Sequence, residues 1–339
     1  MNKDDCLYKF MFTIFFLLIA FGNVNAQPII ADHQAAADFP LIPHPYIEQV
    51  KNTYKIFYGH TSHGSQIVTG MVILRDSNGL YDFNNGAGTL SLSEYGSDLG
   101  HLGDTSWAPI TRQRLDQPGN DINLVMWSWC GGCSDNTEAG INIYLNALNG
   151  LETDYPDVTF IYMTGHLDGT GVDGNLCRSN NQIRAYCQTN DKILFDFADI
   201  ESYDPNGTYY PDETDACNWC YDWCAINPGC CSNSCAHSHC FNCYLKGRAF
   251  WWMMARIAGW TENPDCCEDF TGNVDCSVVE APDISDITRL IDYLYLSHNP
   301  LCCAVEADVD ISGGQPDISD ITRLIDFLYI SHDPLPLCP

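Results

Sequence analysis

The sequence Lys55-Ile-Phe-Tyr58, followed directly by Gly59-His-Thr-Ser-His-Gly64, sets the pattern of the larger part of the chain. A short apolar run that leads into a glycine-bounded polar segment is typical of a buried β-strand followed by a loop. Similar apolar runs occur at residues 124–127, 158–163 and 193–197. These four runs predict four strands of a buried sheet.

Helical patterns lie between the predicted strands. Residues 139–151 and 181–188 have helical spacing, and residues 246–260 form a longer segment that closes the region. Strands that alternate with helices predict an α/β domain over residues 27–261, with a mainly parallel sheet and helices on both faces. Such sheets bind ligands at the carboxyl ends of their strands. The polar residues that follow each strand are therefore the candidate site.

The C-terminal part of the chain contains a duplication. Residues 282–301 recur 34 positions later as residues 316–335, with 17 of 20 positions identical. Oxygen-bearing side chains precede and enter each copy, namely Asn273, Asp275, Ser277 and Asp286 in the first and Asp308, Asp310, Ser312 and Asp320 in the second. Oxygen ligands at alternate positions before a helix are typical of Ca²⁺ sites.

Each copy predicts one amphipathic helix. The apolar stripe consists of Ile287, Leu290, Ile291 and Leu294 in the first copy and of Ile321, Leu324, Ile325 and Leu328 in the second. Ser285 and Ser319 are the predicted N-caps. We expect a linker at residues 262–271 and then a small all-α module at residues 272–339. So small a core needs support from bound cations and disulfides.

The acidic composition excludes two classes of partner. The formal net charge is −29 and the pI is about 4.3, which argues against binding to nucleic acid and to anionic lipid. From residue 265 onward there are 15 acidic residues and two basic ones, Arg289 and Arg323. This local excess of carboxylates favours cation binding by the C-terminal module.

The N-terminus predicts export. Lys3 and Lys9 come before an apolar run at residues 10–21, and a cleavage site is expected after Ala26. Residues 1–26 are therefore predicted to be a signal peptide rather than a membrane span. Twelve cysteines lie between Cys130 and Cys243, and six lie between residues 266 and 338. Two even counts in an exported chain predict disulfides within each part and a secreted, extracellular protein.

The duplicated segment resembles the dockerin type I module, which has two units of a Ca²⁺ loop and a helix. The resemblance covers about the last fifth of the chain and implies bound Ca²⁺ and a cohesin-like protein partner. The spacing departs from the twelve-residue loop, since Asp320 is thirteenth from Asp308 and Asp286 is fourteenth from Asn273. The alternative is an acidic helical pair held by disulfides without metal.

The larger domain resembles the SGNH (GDSL-like) hydrolases through three sequence blocks. Gly59-His-Thr-Ser62-His-Gly64 corresponds to the serine block, and Gly100-His-Leu-Gly103-Asp104 corresponds to the glycine block. Ser234-Cys-Ala-His237-Ser-His239 corresponds to the final Asp-x-x-His block, with Ser234 in place of aspartate. The third block, Trp127-Ser-Trp-Cys-Gly131, lacks the usual asparagine. The resemblance implies a three-layer α/β/α, flavodoxin-like fold.

The same resemblance implies a secreted serine esterase or deacylase. Ser62 would be the nucleophile, and His237 or alternatively His239 its base. The backbone amides of Ser62 and Gly103 would be the oxyanion donors, with a further donor at Cys130 or Gly131. The acid that orients the imidazole stays open among a backbone carbonyl, Asp222 and Asp215. Next to a dockerin-like module, the expected substrate is an acyl ester, in particular an ester-substituted polysaccharide. As a structural residue, Ser62 would instead cap the helix after the first strand.

Two further functions remain open at the level of sequence. A zinc-dependent hydrolase would draw its ligands from the residues near the strand ends, namely His60, His63, His166, His237, His239, Asp104 and Asp168. A binding or scaffold protein on a degenerate hydrolase fold would explain the missing asparagine and aspartate. Neither the partner of the module nor the disulfide pairing follows from the sequence.

Overall fold

A computed structural model describes residues 28–227, 230–260, 266–267, 270–277, 281–297, 299, 301–312 and 316–338. The predicted signal peptide at residues 1–26 lies outside the described residues. Residues 262–265, 268 and 269 of the predicted linker lie outside them too.

Within the described residues, one sheet of six parallel strands forms the centre of the larger domain. The strands are β1 (Ile30–Ala31), β2 (Lys55–Gly59), β3 (Ser91–Tyr95), β4 (Leu124–Trp127), β5 (Thr159–Met163) and β6 (Ile193–Phe195). Their order is β1-β6-β5-β4-β2-β3, and every neighbouring pair is parallel. The α/β class and the parallel sheet are confirmed. From β2 to β6 the order is that of the flavodoxin-like folds.

Nine helices of this domain lie along the described chain. They are α1 (His33–Asp38), α2 (His44–Thr53), α3 (Ser65–Ser77), α4 (Trp107–Leu115), α5 (Glu138–Asp154), α6 (Asn175–Thr189), α7 (Phe197–Ser202), α8 (Asn218–Ile226) and α9 (Cys240–Ile257). The last predicted strand was too long, because residue 197 already begins α7. Asp196 caps that helix by accepting a hydrogen bond from the Asp199 amide.

The sheet lies between two apolar layers because successive side chains of a strand point to opposite faces. Ile161 and Met163 of β5 pack with α1, α2, α3, α7 and α9 in one layer. Phe160 and Tyr162 of the same strand pack with α4, α5 and α6 in the other. Since both faces are covered, the strands are continuous apolar runs.

The helices α3 and α9 are in backbone contact. A Cβ atom added at Gly70 would lie 1.9 Å from the carbonyl oxygen of Cys243, and one at Gly247 would lie 2.4 Å from the carbonyl carbon of Gly70. Only glycine allows so close an approach. The helix that follows β2 and the last helix of the domain are therefore fixed against each other.

Four disulfides connect the segment before and at the start of α9. The pairs are Cys217–Cys220, Cys224–Cys230, Cys231–Cys240 and Cys235–Cys243. Cys130, Cys133, Cys177 and Cys187 are free thiols. The expectation of complete pairing is thus met by eight of the twelve cysteines. Disulfides are compatible with an oxidising compartment. Among the described helices, none has the length and apolarity to cross a membrane.

The C-terminal module contains α10 (Ile284–Ile291), α11 (Ala304–Ala307) and α12 (Ile318–Ile325). A π-helical turn extends α10 to Leu296 and α12 to Ile330. Three disulfides connect the module, namely Cys266–Cys303, Cys267–Cys338 and Cys276–Cys302. Its own apolar core consists of Val274, Ile287, Leu290, Leu301, Ala307, Val309, Ile321, Leu324 and Leu335.

Two predictions for the module need correction. Asp283 and Asp317, rather than the predicted serines, are the N-caps of α10 and α12. Ser285 and Ser319 lie inside the first turn, where their backbone amides donate to these carboxylates. The predicted apolar stripe is also narrower than expected, because the equivalent isoleucines at positions 291 and 325 are partly exposed.

Candidate active site

The candidate site lies where the strand order reverses. The strand β2 pairs with β3 on one side and with β4 on the other, so the loops after β2 and β4 diverge from a common crevice at the carboxyl edge of the sheet. The first loop contains Ser62 and His63, and the second contains Cys130. The topology therefore brings together residues that are 67 positions apart in the chain.

A thiol, an imidazole and a carboxylate form a hydrogen-bonded chain in this crevice. His63 Nδ1 lies 3.1 Å from Cys130 Sγ, and His63 Nε2 lies 2.9 Å from Asp215 Oδ2. Cys130 is partly exposed, whereas His63 is buried. A nucleophile next to a base, with the base oriented by a third group, is the arrangement of covalent acyl-transfer catalysis.

Two further imidazole rings stack on that of His63. The ring of His166 is parallel to it at a centroid distance of 3.6 Å, and the ring of His237 stacks at 4.5 Å. Burial lowers the pKa of His63, the neighbouring rings of His166 and His237 lower it further, and Asp215 opposes them. The lowered pKa favours the neutral imidazole, which is the form that accepts a proton.

The hydroxyl of Ser62 contacts the thiol of Cys130. Ser62 Oγ is 3.5 Å from Cys130 Sγ. Among the described residues, no hydrogen bond joins Ser62 Oγ to His237 or to His239. The structural interpretation of Ser62 as a helix cap is not supported, because the N-cap of α3 is Gly64.

His239 and Gly103, two other predicted catalytic residues, have structural contacts of their own. His239 is the N-cap of α9, where its Nδ1 accepts from the Phe241 amide, and its ring packs against Tyr221. Gly103 has a left-handed backbone (φ 78°) and lies against the first turn of α5. The role of Gly103 as an oxyanion donor stays a prediction.

The loop that contains His237 is held by covalent and polar contacts. His237 has a φ of 59°, a conformation that side chains with a Cβ atom adopt rarely. The disulfide Cys235–Cys243 fixes the loop to α9. Gln66 in the first turn of α3 donates to the carbonyl of Ala236 at 2.7 Å. The strained residue is thus fixed from two sides.

A buried ion pair connects this loop to the one after β5. Lys246 and Glu201 are fully buried and lie 2.6 Å apart. Lys246 also donates to Gln66 Oε1, and Glu201 Oε2 accepts from the Leu167 amide at 2.7 Å. Gln66 in turn reaches Ala236. The network therefore fixes the backbone next to each of the three stacked imidazoles.

The wider set of predicted zinc ligands separates in the structure. Of that set, His63, His166 and His237 come together as stacked rings. The ligand atoms of His63, His166 and Asp215 lie within 4.8 Å of one another. His60 pairs instead with Glu94, at 2.9 Å. The carboxylates of Asp104 and Asp168 accept hydrogen bonds from neighbouring residues of their own loops, Ser106 and Thr170.

The acidic loops of the module have the same local geometry. The carboxylates of Asp308, Asp310 and Asp320 lie within 4.8 Å of one another, and the Ser312 amide donates to the first of them. In the first loop, the Ser277 amide donates to Asn273 in the same way, and the Asp275 amide donates to Asp286. Burial raises the pKa of Asp286 and of Asp320.

Cys130 is the functional candidate that the sequence reasoning missed as a nucleophile. The assumption of complete disulfide pairing assigned it to a structural bond. Two signals were present, since Cys130 follows a buried strand and begins a Cys130-Gly-Gly-Cys133 motif. Asp215 was considered as the orienting acid, and in the structure it contacts His63 rather than His237.

Comparisons with known proteins give little further information. No protein-family model and no curated protein matches the chain. Among solved structures, a protein from Bacteroides fragilis provisionally described as an acylhydrolase is similar, with 16% identity and a TM-score of 0.30 over 50% of this chain and 81% of that chain. A likeness of this size says nothing about activity.

Proposed function

We propose that the larger domain hydrolyses acyl esters with Cys130 as nucleophile, His63 as base and Asp215 as the orienting acid. The observation that supports the proposal is the unbroken chain of contacts from Sγ through the imidazole to the carboxylate. Its position at the strand-order switch point fits a ligand-binding crevice.

The reaction proceeds in two steps, acylation of the thiol and hydrolysis of the thioester. His63 Nδ1 takes the thiol proton, Cys130 Sγ attacks the ester carbonyl carbon, and the alcohol leaves with the proton that His63 returns, so that a thioester remains. His63 then takes a proton from water, the hydroxide attacks the thioester, and the carboxylic acid leaves as the thiol is restored. Asp215 holds the ring and stabilises the transient imidazolium.

Backbone amides would stabilise the oxyanion of each tetrahedral intermediate. Ser62 contacts the thiol through its Oγ, and Gly131 directly follows Cys130 in the chain. Within the described part of the chain, neither backbone amide donates a hydrogen bond. We propose these two as the donors. Gly103, which the sequence suggested, would act only as a further donor.

Ser62 remains the competing nucleophile, and mutation separates the two. We expect Cys130→Ala and His63→Gln each to lower kcat/KM for p-nitrophenyl acetate by at least about 100-fold, whereas Ser62→Ala retains most activity. Activity that survives Cys130→Ala but is lost in Ser62→Ala would establish the serine esterase instead. Asp215→Asn tests whether Asp215 is the acid that orients His63.

Chemical labelling provides a second measurement. Cys130 and Cys177 are the partly exposed free thiols of the described chain, and Cys133 and Cys187 are buried. Iodoacetamide should label Cys130 and abolish activity, and Cys177→Ser should change neither result. The physiological substrate proposed is an ester-substituted polysaccharide, which is tested by acetate release from acetylated xylan.

A zinc-dependent hydrolase is the second candidate, favoured by the convergence of His63, His166 and Asp215. Two imidazoles and a carboxylate are a known ligand set for catalytic zinc. Zinc would supply an activated water in place of the thiolate. Stoichiometric zinc in the purified protein that is lost in His166→Ala, together with full activity of Cys130→Ala, would support this candidate over the thiol.

The C-terminal module is proposed to bind Ca²⁺ and a cohesin-like protein. Three clustered carboxylates, one of them buried, fit a divalent cation. The two copies also expose apolar side chains at equivalent positions, namely Ile284, Tyr295 and Leu296 in the first and Ile318, Tyr329 and Ile330 in the second. Such exposed apolar surface is typical of a protein-binding face. Calorimetry with Ca²⁺ and with a cohesin domain tests both parts.

A further inference from the structure

A cavity of about 270 Å³ adjoins the candidate active site. Leu167 and Asp168 form part of its wall, and they directly follow His166, whose ring stacks on His63. On the other side, the Asp215 amide donates to the Leu167 carbonyl at 3.1 Å. The same short segment therefore borders both the catalytic crevice and the cavity.

A series of stacked rings leads to an exposed tyrosine in this wall. The ring of His33 stacks on Tyr203 at a centroid distance of 3.8 Å, and Tyr203 stacks on Tyr209 at 4.9 Å. Tyr209 is 49% exposed and, with Tyr203, lines the cavity. A fixed aromatic ring with a hydroxyl tip offers both an apolar face and a hydrogen-bonding group.

The charged side chains of the wall already have partners. Arg184 forms a two-pronged ion pair with Asp196, at 2.6 and 2.7 Å. Asp199 accepts from His33. Glu213 accepts from the Thr214 amide at 2.8 Å and, in addition, from two groups of α8.

Because Arg184, the cation that lines the cavity, is already paired with Asp196, the wall has no free positive charge for an anionic ligand. The carboxylates retain lone pairs for hydroxyl donors, because each oxygen accepts more than one hydrogen bond. A neutral ligand that has both an apolar face and several hydroxyl groups matches this wall. Pyranose rings have that combination, whereas a simple lipid chain lacks the hydroxyl groups.

We propose that this cavity binds a neutral pyranose unit of the substrate, with the sugar ring packed on Tyr209 and its hydroxyl groups toward Asp168 and Glu213. The proposal rests on the proposed function, since it places the alcohol part of the ester in the cavity. The substrate class is then an ester of a neutral glycan.

The test measures glycan binding separately from hydrolysis. Isothermal titration calorimetry of the Cys130→Ala full-length protein uses xylotetraose, cellotetraose and mannotetraose as neutral probes. Oligogalacturonate and chitosan oligomers are the charged probes. We expect at least one neutral probe to bind, with affinity lowered about tenfold by Tyr209→Ala and retained by the ring-preserving variant Tyr209→Phe.

Three results would overturn the proposal. The first is that no neutral probe binds to a Cys130→Ala protein that has the wild-type circular dichroism spectrum. The second is that Tyr209→Ala leaves the binding unchanged. The third is that a charged probe binds more tightly than the neutral ones. Failure of the ester hydrolase proposal appears differently, as glycan binding without hydrolysis of p-nitrophenyl acetate by the wild type. Hydrolysis of that ester without glycan binding rejects the sugar site alone.

Discussion

The ion pair of Lys246 and Glu201 allows a quantitative prediction for Lys246→Met. Both side chains are fully buried. Burial lowers the pKa of Lys246 to about 8, against the opposing effect of Glu201. Methionine has a similar shape but no charge. Among the described residues, the Glu201 carboxylate then keeps the Leu167 amide and the Asn242 side chain as its donors. An uncompensated charge then stays in the core.

Breaking a buried pair from one side costs about 3–5 kcal/mol. Since small domains have a free energy of unfolding of about 5–15 kcal/mol, the variant should lose a large part of it. With a urea m-value of about 1–3 kcal/mol/M, the unfolding midpoint should fall by at least about 1 M. Activity should fall too, because the loops around His63 lose their common anchor.

Tryptophan fluorescence during urea titration is the suitable assay, because all eight tryptophans lie between residues 107 and 260. The signal therefore reports on the larger domain alone. The matched control is the double variant Lys246→Met with Glu201→Gln, which removes both charges and should recover more than half of the loss. A loss below about 1 kcal/mol for Lys246→Met alone would refute the reasoning.

Three further predictions concern other parts of the molecule. Burial lowers the pKa of His33, but Asp199 outweighs this effect and raises the pKa above 6.5. The stability that this pair contributes is therefore present below pH 6.5 and is lost as the pH rises through the raised pKa. His33→Asn should accordingly lower Tm more at about pH 5.5 than at about pH 8.5. Asp320→Asn should reduce the Ca²⁺-dependent rise in the calorimetric Tm of the module, and an undiminished rise would contradict the site. Gly70→Ala should lower the free energy of unfolding by about 3 kcal/mol or more, because the added methyl group meets the backbone of α9. The control is Gly150→Ala, which lies in open space within α5 and should raise the free energy of unfolding by up to about 1 kcal/mol. Urea titration measures both.

The strands that the sequence predicted are those with both faces covered. Residues 124–127 are buried throughout, so their apolar run is continuous and easy to recognise. The edge strand Ser91–Tyr95 is half exposed and has three polar residues among its five, and β1 has only two residues. A single sequence gives little signal for such edges, because their pairing depends on neighbours that are distant in the chain.

The place of the candidate site was predictable, but its partners were not. Parallel strands bring their carboxyl ends to one edge, which places Ser62 and His63 there. Asp215 contacts His63 across 152 positions of the chain, from the loop between α7 and α8, and no periodicity encodes that contact. The free state of Cys130 depended on the actual pairing of the other cysteines, which counting alone does not give.

The disulfides have a consequence for oxidative folding. Cysteines occur as adjacent pairs at positions 230–231, 266–267 and 302–303, and each member of a pair bonds to a different partner. If one cysteine of such a pair takes the partner of the other, two disulfides are exchanged while the backbone hardly moves. The bond Cys267–Cys338 also closes a separation of 71 residues, far longer than the separation of nine or fewer among the bonds near α9. Loop-closure entropy delays such a bond, so thiol–disulfide isomerisation, more than collapse of the sheet, should limit the yield of correctly paired protein.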